Sequence, residues 1–183
     1  MSKKLASLEE RKAEVLIKLR GYRLIKKQRH DDAIGYVIEI PKEKAKALVW
    51  CVPGETTVGI NSINRVAKAM KDLDIERGII VTDGRYTHAV KTGAKKKKIE
   101  LLPKTFPAFD IFQHGLVPRQ EILSEEEKAE LLLRFRVQAY QLPQISSVDP
   151  TVKAIGGKPG DVLRVIRKSP TAGEHVAYRY VVE

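Results

Sequence analysis

Residues 141–182 read QLPQISSVDPTVKAIGGKPGDVLRVIRKSPTAGEHVAYRYVV, and their punctuation sets the fold of the C-terminal part of the chain. Pro143, Pro150, Pro159 and Pro170 each fix φ and remove a donor, while Gly156, Gly157, Gly160 and Gly173 can supply a positive φ, so the turns are tightly specified. Between them, Asp161 to Arg167 and His175 to Val182 alternate apolar and polar residues, which predicts a small sheet with one solvated face. Just upstream, Ser124 with Glu127 forms a capping box that starts a helix running to about Arg136, with Leu131, Leu132 and Phe135 on its apolar face. The helix is expected to stop at Gln141-Leu142-Pro143, because the position before a proline disfavours helix. The segment holds no acid–base pair, metal cluster or activated nucleophile. It is a rigid α+β module that acts by shape.

Further upstream, Pro103 and Pro107 with Phe106, Phe109 and Phe112 mark a hinge near residue 112, and the phenylalanines are expected to pack that junction. The residues before it spell a mixed α/β layer domain. Ser7 and Glu10 cap a first helix whose stripe is Leu8, Val15, Leu16 and Leu19, ended by Gly21. Ala33 to Ile40 and Lys46 to Val52 read as a strand pair. Asn61 is expected to cap a second helix with Ile63, Val66, Ala67, Met70 and Leu73 on one face. Arg77 to Thr82 is a buried strand closed by Asp83-Gly84, Thr87 to Ala94 a short helix and Ile99 to Leu102 a last strand.

The chain has 183 residues, 43% of them hydrophobic, enough for two small domains with packed cores. No apolar run approaches the ~20 residues of a membrane span, and Met1-Ser2-Lys3-Lys4 leads into a charged stretch without a signal-peptide core. The single Cys51 can form no internal disulfide, in keeping with a reducing compartment. The net charge of +11 is uneven: residues 1–112 carry +10 and residues 113–183 carry +1. Phosphate neutralisation is therefore expected of the first domain, although an ordinary solvated lysine-rich surface has the same composition.

Residues 141–182, with HGLVPRQEILSEEEKAELL at 114–132, closely resemble the assembly domain of the RNA polymerase subunit called H in archaea and of the fifth common subunit of eukaryotic nuclear polymerases. The first domain is similar to the jaw that precedes this domain in the eukaryotic subunit: compare Val58-Gly59-Ile60, Arg77-Gly78-Ile79-Ile80-Val81 and Thr87. It also looks like a three-layer restriction-endonuclease-like core, especially of the methyl-directed, Mrr-like type, on the strength of HDDAIGYVIEI (30–40), KALVWCVPG (46–54) and RGIIVTDGRYTHAVKTGAKKKKIEL (77–101). Such nucleases hold Mg²⁺ with an acid near the first strand of a pair and an acid-x-lysine element on the next. Asp31 or Asp32 could stand for the first acid. The second position reads Val49-Trp50-Cys51-Val52, with neither carboxylate nor lysine; Glu39 and Glu43 are close in sequence, but Glu43 falls in the charged turn.

The resemblance implies a subunit of a nucleotidyltransferase complex with no catalytic residue, metal or cofactor on this chain. Residues 113–183 would dock on the largest polymerase subunit among other polymerase subunits, and residues 1–112 would form part of a jaw around downstream double-stranded DNA. No membrane is involved; the location would be cytoplasmic in an archaeon and nuclear in a eukaryote. By position, Arg85, Tyr86, Thr87 and His88 match the DNA-facing loop, although Thr87 reads equally well as a helix cap, and Lys95, Lys96, Lys97 and Lys98 would add phosphate attraction. Arg164, Arg167, Tyr178 and Arg179 are the expected subunit contacts, being of types enriched at interface centres. His30, His114 and His175 lack spaced metal partners and read as structural. Two rivals stay open: a Mg²⁺-dependent nuclease of degenerate motif, and a free-standing DNA-binding factor.

Overall fold

A computed structural model describes residues 6–30, 33–41, 43–169 and 173–183, which divide into two compact units, one up to Phe109 and one from Asp110. The Asp31 and Asp32 of the expected first acid, and the Pro170-Thr171-Ala172 turn, lie outside the described residues.

The first unit opens with α1 (Leu8–Leu19). Ser7 Oγ accepts from the Glu10 amide at 3.2 Å and Glu10 Oε1 accepts from the Ser7 amide at 3.5 Å, closing the expected capping box. Its inward face is Ala13, Leu16 and Ile17 with Glu9, Glu10 and Lys12; of the expected stripe only Leu16 is fully buried, and Leu8 is exposed. β1 (Arg23–His30) follows, a strand that the sequence conceals because RLIKKQRH is mostly basic and exposed. Its partner makes it a strand: Lys27 pairs with Tyr36 and His30 with Ala33 of β2 (Ala33–Ile40), with an irregularity between Leu24 and Lys26. β2 turns back into β3 (Ala45–Cys51) in the antiparallel pair the sequence predicts, Ile34 opposite Cys51.

β4 (Thr57–Val58) leads to α2 (Ile60–Asp72), β5 (Arg77–Val81), β6 (Arg85–Tyr86), α3 (His88–Lys96) and β7 (Ile99–Leu101). The N-cap of α2 is Gly59 without a side-chain bond, and Asn61 sits inside the first turn, so Asn61 is not the cap. The main sheet runs β1-β2-β3-β5-β7, with β5 parallel to β3 and β7 parallel to β5, while β4 and β6 form a separate parallel pair. Leu48, Trp50, Val52, Ile80 and Ile99 pack with Ile63, Val66 and Met70 of α2 and Val90 and Ala94 of α3. Alternate residues Val49, Cys51, Ile79 and Val81 are also buried, and the Cys51 thiol donates to the Glu9 carbonyl of α1 at 3.6 Å. Each fully buried aliphatic here, Ile63 or Ile80 for instance, contributes about 1.5–3 kcal/mol. Phe106 is buried in this unit, whereas Phe109 is exposed.

The second unit contains β8 (Arg119–Ile122), α4 (Glu125–Phe135), β9 (Gln144–Ser146), α5 (Pro150–Ile155), β10 (Val162–Ser169) and β11 (Gly173–Val182), with short 3-10 turns at Ile111–Gln113 and Ala139–Gln141. The Ser124–Glu127 capping box forms as expected. α4 ends at Arg136, whose φ of 53° is left-handed, and the Arg136 and Val137 amides return to Leu133 and Leu132, so the helix stops before the Gln141-Leu142-Pro143 signal is reached. Strand order is β8-β10-β11-β9, with β9 parallel to β11 and the other pairs antiparallel. Val162 packs with Leu123, Leu131 and Tyr180 on one face, and Leu163 with Val152 and Val181 on the other. The expected solvated face is therefore not one: α4 and α5 cover opposite sides of β10. α5 escapes a periodicity search because it spans only six residues, but its punctuation is legible, Asp149 capping Thr151 N at 2.8 Å, Pro150 in the first turn and Gly156 at φ 81° closing it.

Among the described residues no helix is long and apolar enough to cross a membrane.

Candidate nucleic-acid and docking surfaces

At the position where a nuclease would carry its acid-x-lysine element, β3 is apolar and closed to solvent: Val49, Trp50, Cys51 and Val52 are each no more than 6% exposed. Cys51 is fully buried, and burial pushes its thiol far above its ordinary range, which favours the neutral form. Trp50 stacks on His30 with ring centroids 4.6 Å apart, which explains the structural role expected of that histidine. Glu39 pairs in register with Lys46, at the opposite end of the strand pair, and Glu43 forms an ion pair with Arg77. Beside Trp50 lies an open cavity of about 480 Å³, whose carboxylates Glu55 and Asp72 share it with Arg65 and Lys68. Among the described residues no three His, Cys, Asp or Glu side chains converge to hold a metal.

The segment after β5 is held from several directions. Lys12 of α1, its side chain 4% exposed, donates to Asp83 Oδ1 at 3.1 Å and to the Lys104 carbonyl at 2.7 Å. The Lys12 hydrogen bond, more than the opposing desolvation, holds the Asp83 carboxyl below the usual carboxylate range, with Lys104 adding to it. Thr82 Oγ1 accepts from the Gly84 amide at 3.0 Å, and the Arg85 amide donates to Thr56 at 2.9 Å. Gly84 is required sterically, since a Cβ there would lie 2.3 Å from the Glu55 carbonyl oxygen.

Arg85 and His88 emerge from this frame exposed to solvent. Tyr86 does not: its hydroxyl points inward, 2.8 Å from the Leu102 carbonyl and 3.1 Å from the Ile80 carbonyl, and burial raises its pKa. Thr87 spends its hydroxyl as the α3 cap, accepting from Val90 N at 3.4 Å. Lys95 and Lys96 are exposed in the last turn of α3, where the helix dipole favours cations. Lys97 bonds Asn64 Oδ1 at 2.7 Å, and Lys98, at φ 54°, reaches Glu76 at 3.4 Å. Sequence reading missed Lys12; its signal was the spacing, since positions 12, 13, 16 and 17 fall on one helical face.

The four candidates in the second unit are not brought together. Arg164 and Tyr178 pair across β10 and β11 on the α4 face, where Arg164 reaches Glu127 at 3.1 Å and Glu121 at 3.7 Å. The Ser124 amide, then Arg164, hold the Glu127 carboxyl low. Tyr178 packs beside Phe135 at 6.1 Å. By strand alternation Arg167 and Arg179 lie on the other face; Arg167 is exposed, and Arg179 Nη1 donates to the Gln144 carbonyl at 3.2 Å.

Residues 109–181 match the family described as RNA polymerase Rpb5, C-terminal domain. Over 75 residues the chain is 63% identical to DNA-directed RNA polymerase subunit Rpo5 of Thermococcus onnurineus (strain NA1), covering 41% of this chain and 92% of that protein. The chain belongs to the Rpb5 family of DNA-directed RNA polymerase subunits. Rpo5 of Staphylothermus marinus is 60% identical over 73 residues, 40% of this Rpb5-family chain and 80% of the relative. Subunit RPABC1 of DNA-directed RNA polymerases I, II, and III from Caenorhabditis briggsae is 36% identical over 134 residues, 71% of this chain and 64% of that protein, so the similarity continues into the first unit. Residues 8–107 match a family described as NACHT-associated inactive Restriction Endonuclease 1, which makes the first unit restriction-endonuclease-like.

Proposed function

We propose that this Rpb5-family chain is built into its polymerase through residues 110–183, which dock on the largest subunit, while the first unit lines a jaw beside downstream duplex DNA. One observation supports the division of labour: the archaeal relatives named as polymerase subunits match over 75 and 73 residues, 92% and 80% of their own length, and the polymerase-subunit family model spans 109–181, about the extent of the second unit. The first unit supplies the basic excess, +10 over residues 1–112, and its exposed Arg85, His88, Lys95 and Lys96 fit sequence-independent contact with phosphates. Its sheet, with alternate residues packed under α2 and α3 and under α1, supports the three-layer endonuclease-like arrangement. The buried apolar stretch from Val49 to Val52 speaks against the nuclease rival, because phosphoryl transfer needs the charge stabilisation that metal-binding carboxylates supply. The reading requires no cofactor on this chain and leaves nucleotide addition to other subunits.

Co-purification from native cells tests it. Tagged full-length chain and tagged residues 110–183 are expected to recover the largest polymerase subunit in fixed proportion through moderate salt, and tagged residues 1–109 to recover none. Loss of the polymerase in moderate salt would instead favour the free-standing factor.

A further inference from the structure

The second unit presents an unfinished sheet. β11 runs from Gly173 to Val182 and pairs with β10 from Gly173 to Tyr180, but on its other side β9 covers only Tyr180 to Val182. The direction of the backbone groups follows from three bonds. The Tyr180 amide donates away from β10, to Pro143 at 2.9 Å, and the Val182 carbonyl accepts from Ser147 at 2.6 Å on the same side. The Val181 amide turns the opposite way, to Asp161 at 2.9 Å. With the period of two of a strand, Glu174, Val176 and Tyr178 aim their N–H and C=O groups at the open edge. Among the described residues no strand pairs with them there.

An open edge of this kind is a template for another strand, and folded proteins commonly cover it. The side chains around it describe what would fit. On the α4 face, Val176 is 44% exposed next to Tyr178 and the 52% exposed Phe135. On the opposite face, Arg167 pairs in register with His175, and Arg179 lies further along the same side. We propose that the free edge of β11 is a strand-docking site, and that an extended segment of another polymerase subunit continues the sheet in line with β9. Its alternate side chains would be apolar beside Val176, Tyr178 and Phe135 and acidic beside Arg167, His175 and Arg179. This rests on the docking of residues 110–183 and names the surface that performs it.

The direction of the amides supplies a selective test in the full-length chain. V176P removes an outward-facing donor and leaves the β10 ladder untouched, as proline is tolerated on an edge. It is expected to fold, by circular dichroism and thermal melting, yet to co-purify with the largest subunit at least ten-fold less than wild type, with R167E weakening recovery as well. In hydrogen exchange, the Val176 and Tyr178 amides are expected to exchange fast in the free chain and slowly in assembled polymerase, while Ala177 is protected in both; this readout holds even if V176P misfolds. Unprotected Val176 and Tyr178 in the polymerase, or protection in the free chain that grows with its concentration and so reports a second copy, would overturn the proposal. If V176P assembles normally while removal of residues 110–183 abolishes assembly, docking stands and the edge is wrong. If that removal is harmless, the reading beneath both fails.

Discussion

Lys12 Nζ sits 3.1 Å from Asp83 Oδ1, tying α1 to the turn after β5 across 71 positions of sequence. A buried ammonium is tolerated only when it is paired and hydrogen-bonded, and the Lys104 carbonyl at 2.7 Å completes the arrangement. The contact fixes the base of the segment from which Arg85 and His88 project.

Because Lys12 depresses the Asp83 pKa in the folded state, the carboxylate contributes stability that is fully present above the ordinary aspartate value of about 3.9 and is lost as pH falls through the lower folded value. Melting temperatures of wild type and D83N are expected to differ at neutral pH and to converge in acid, below the usual carboxylate range. Curves that stay parallel down to acid pH would show that the pair does not couple to folding.

Gly84 has no room for a side chain, and the obstructing atom is backbone, which cannot rotate aside. G84A is expected to destabilise the first unit by roughly 1–3 kcal/mol, read as a lower urea midpoint with an unchanged slope. An unaltered midpoint would mean that the Glu55 segment yields freely.

For duplex DNA the exposed cations and the buried phenol should separate. R85A and the pair K95A/K96A are expected to weaken binding for all sequences and to flatten the salt dependence by about one unit of slope for each phosphate that is no longer neutralised. Y86F should leave affinity unchanged and cost about 1 kcal/mol of stability, since its hydroxyl serves the Ile80 and Leu102 carbonyls. Titrations at several salt concentrations, paired with denaturation, measure both.

Ser124 caps α4 through the Glu127 amide at 3.2 Å. S124A is expected to cost about 1 kcal/mol, with faster hydrogen exchange at Glu127 and little change at the Gly157 amide, which α5 holds through Val152. Uniform loss of protection across the second unit would contradict a local cap.

Much of the architecture was legible from residues 7–10 and 124–127, because caps act over a few positions and carry their own geometry, whereas residues 149–160 disclosed their turns but not the helix α5 between them. The antiparallel β2–β3 pair and the buried β5 were equally open to reading, their β-branched runs being short and cleanly bounded. β1 was not: a strand of mostly exposed, basic residues has no periodicity of its own, and only its ladder to β2 makes it one. Which of the neighbouring Arg85 and Tyr86 faces solvent was likewise closed to a local reading, since an Arg and a Tyr adjacent on a strand point to opposite sides.

Composition and short-range order alone pointed to two domains of unequal charge, to an apolar stretch at Val49 to Val52 where a nuclease would carry its acid-x-lysine element, and to the polymerase-subunit resemblance of residues 114–182. Folding in three dimensions was needed to make Lys12 an anchor and Tyr86 a buried tie, to put Arg164 and Tyr178 on the opposite face from Arg167 and Arg179, and to leave β11 with an unpaired edge. Burial and strand pairing join residues distant in sequence, so no local pattern could have specified which side chains meet or which backbone groups are left without a partner strand.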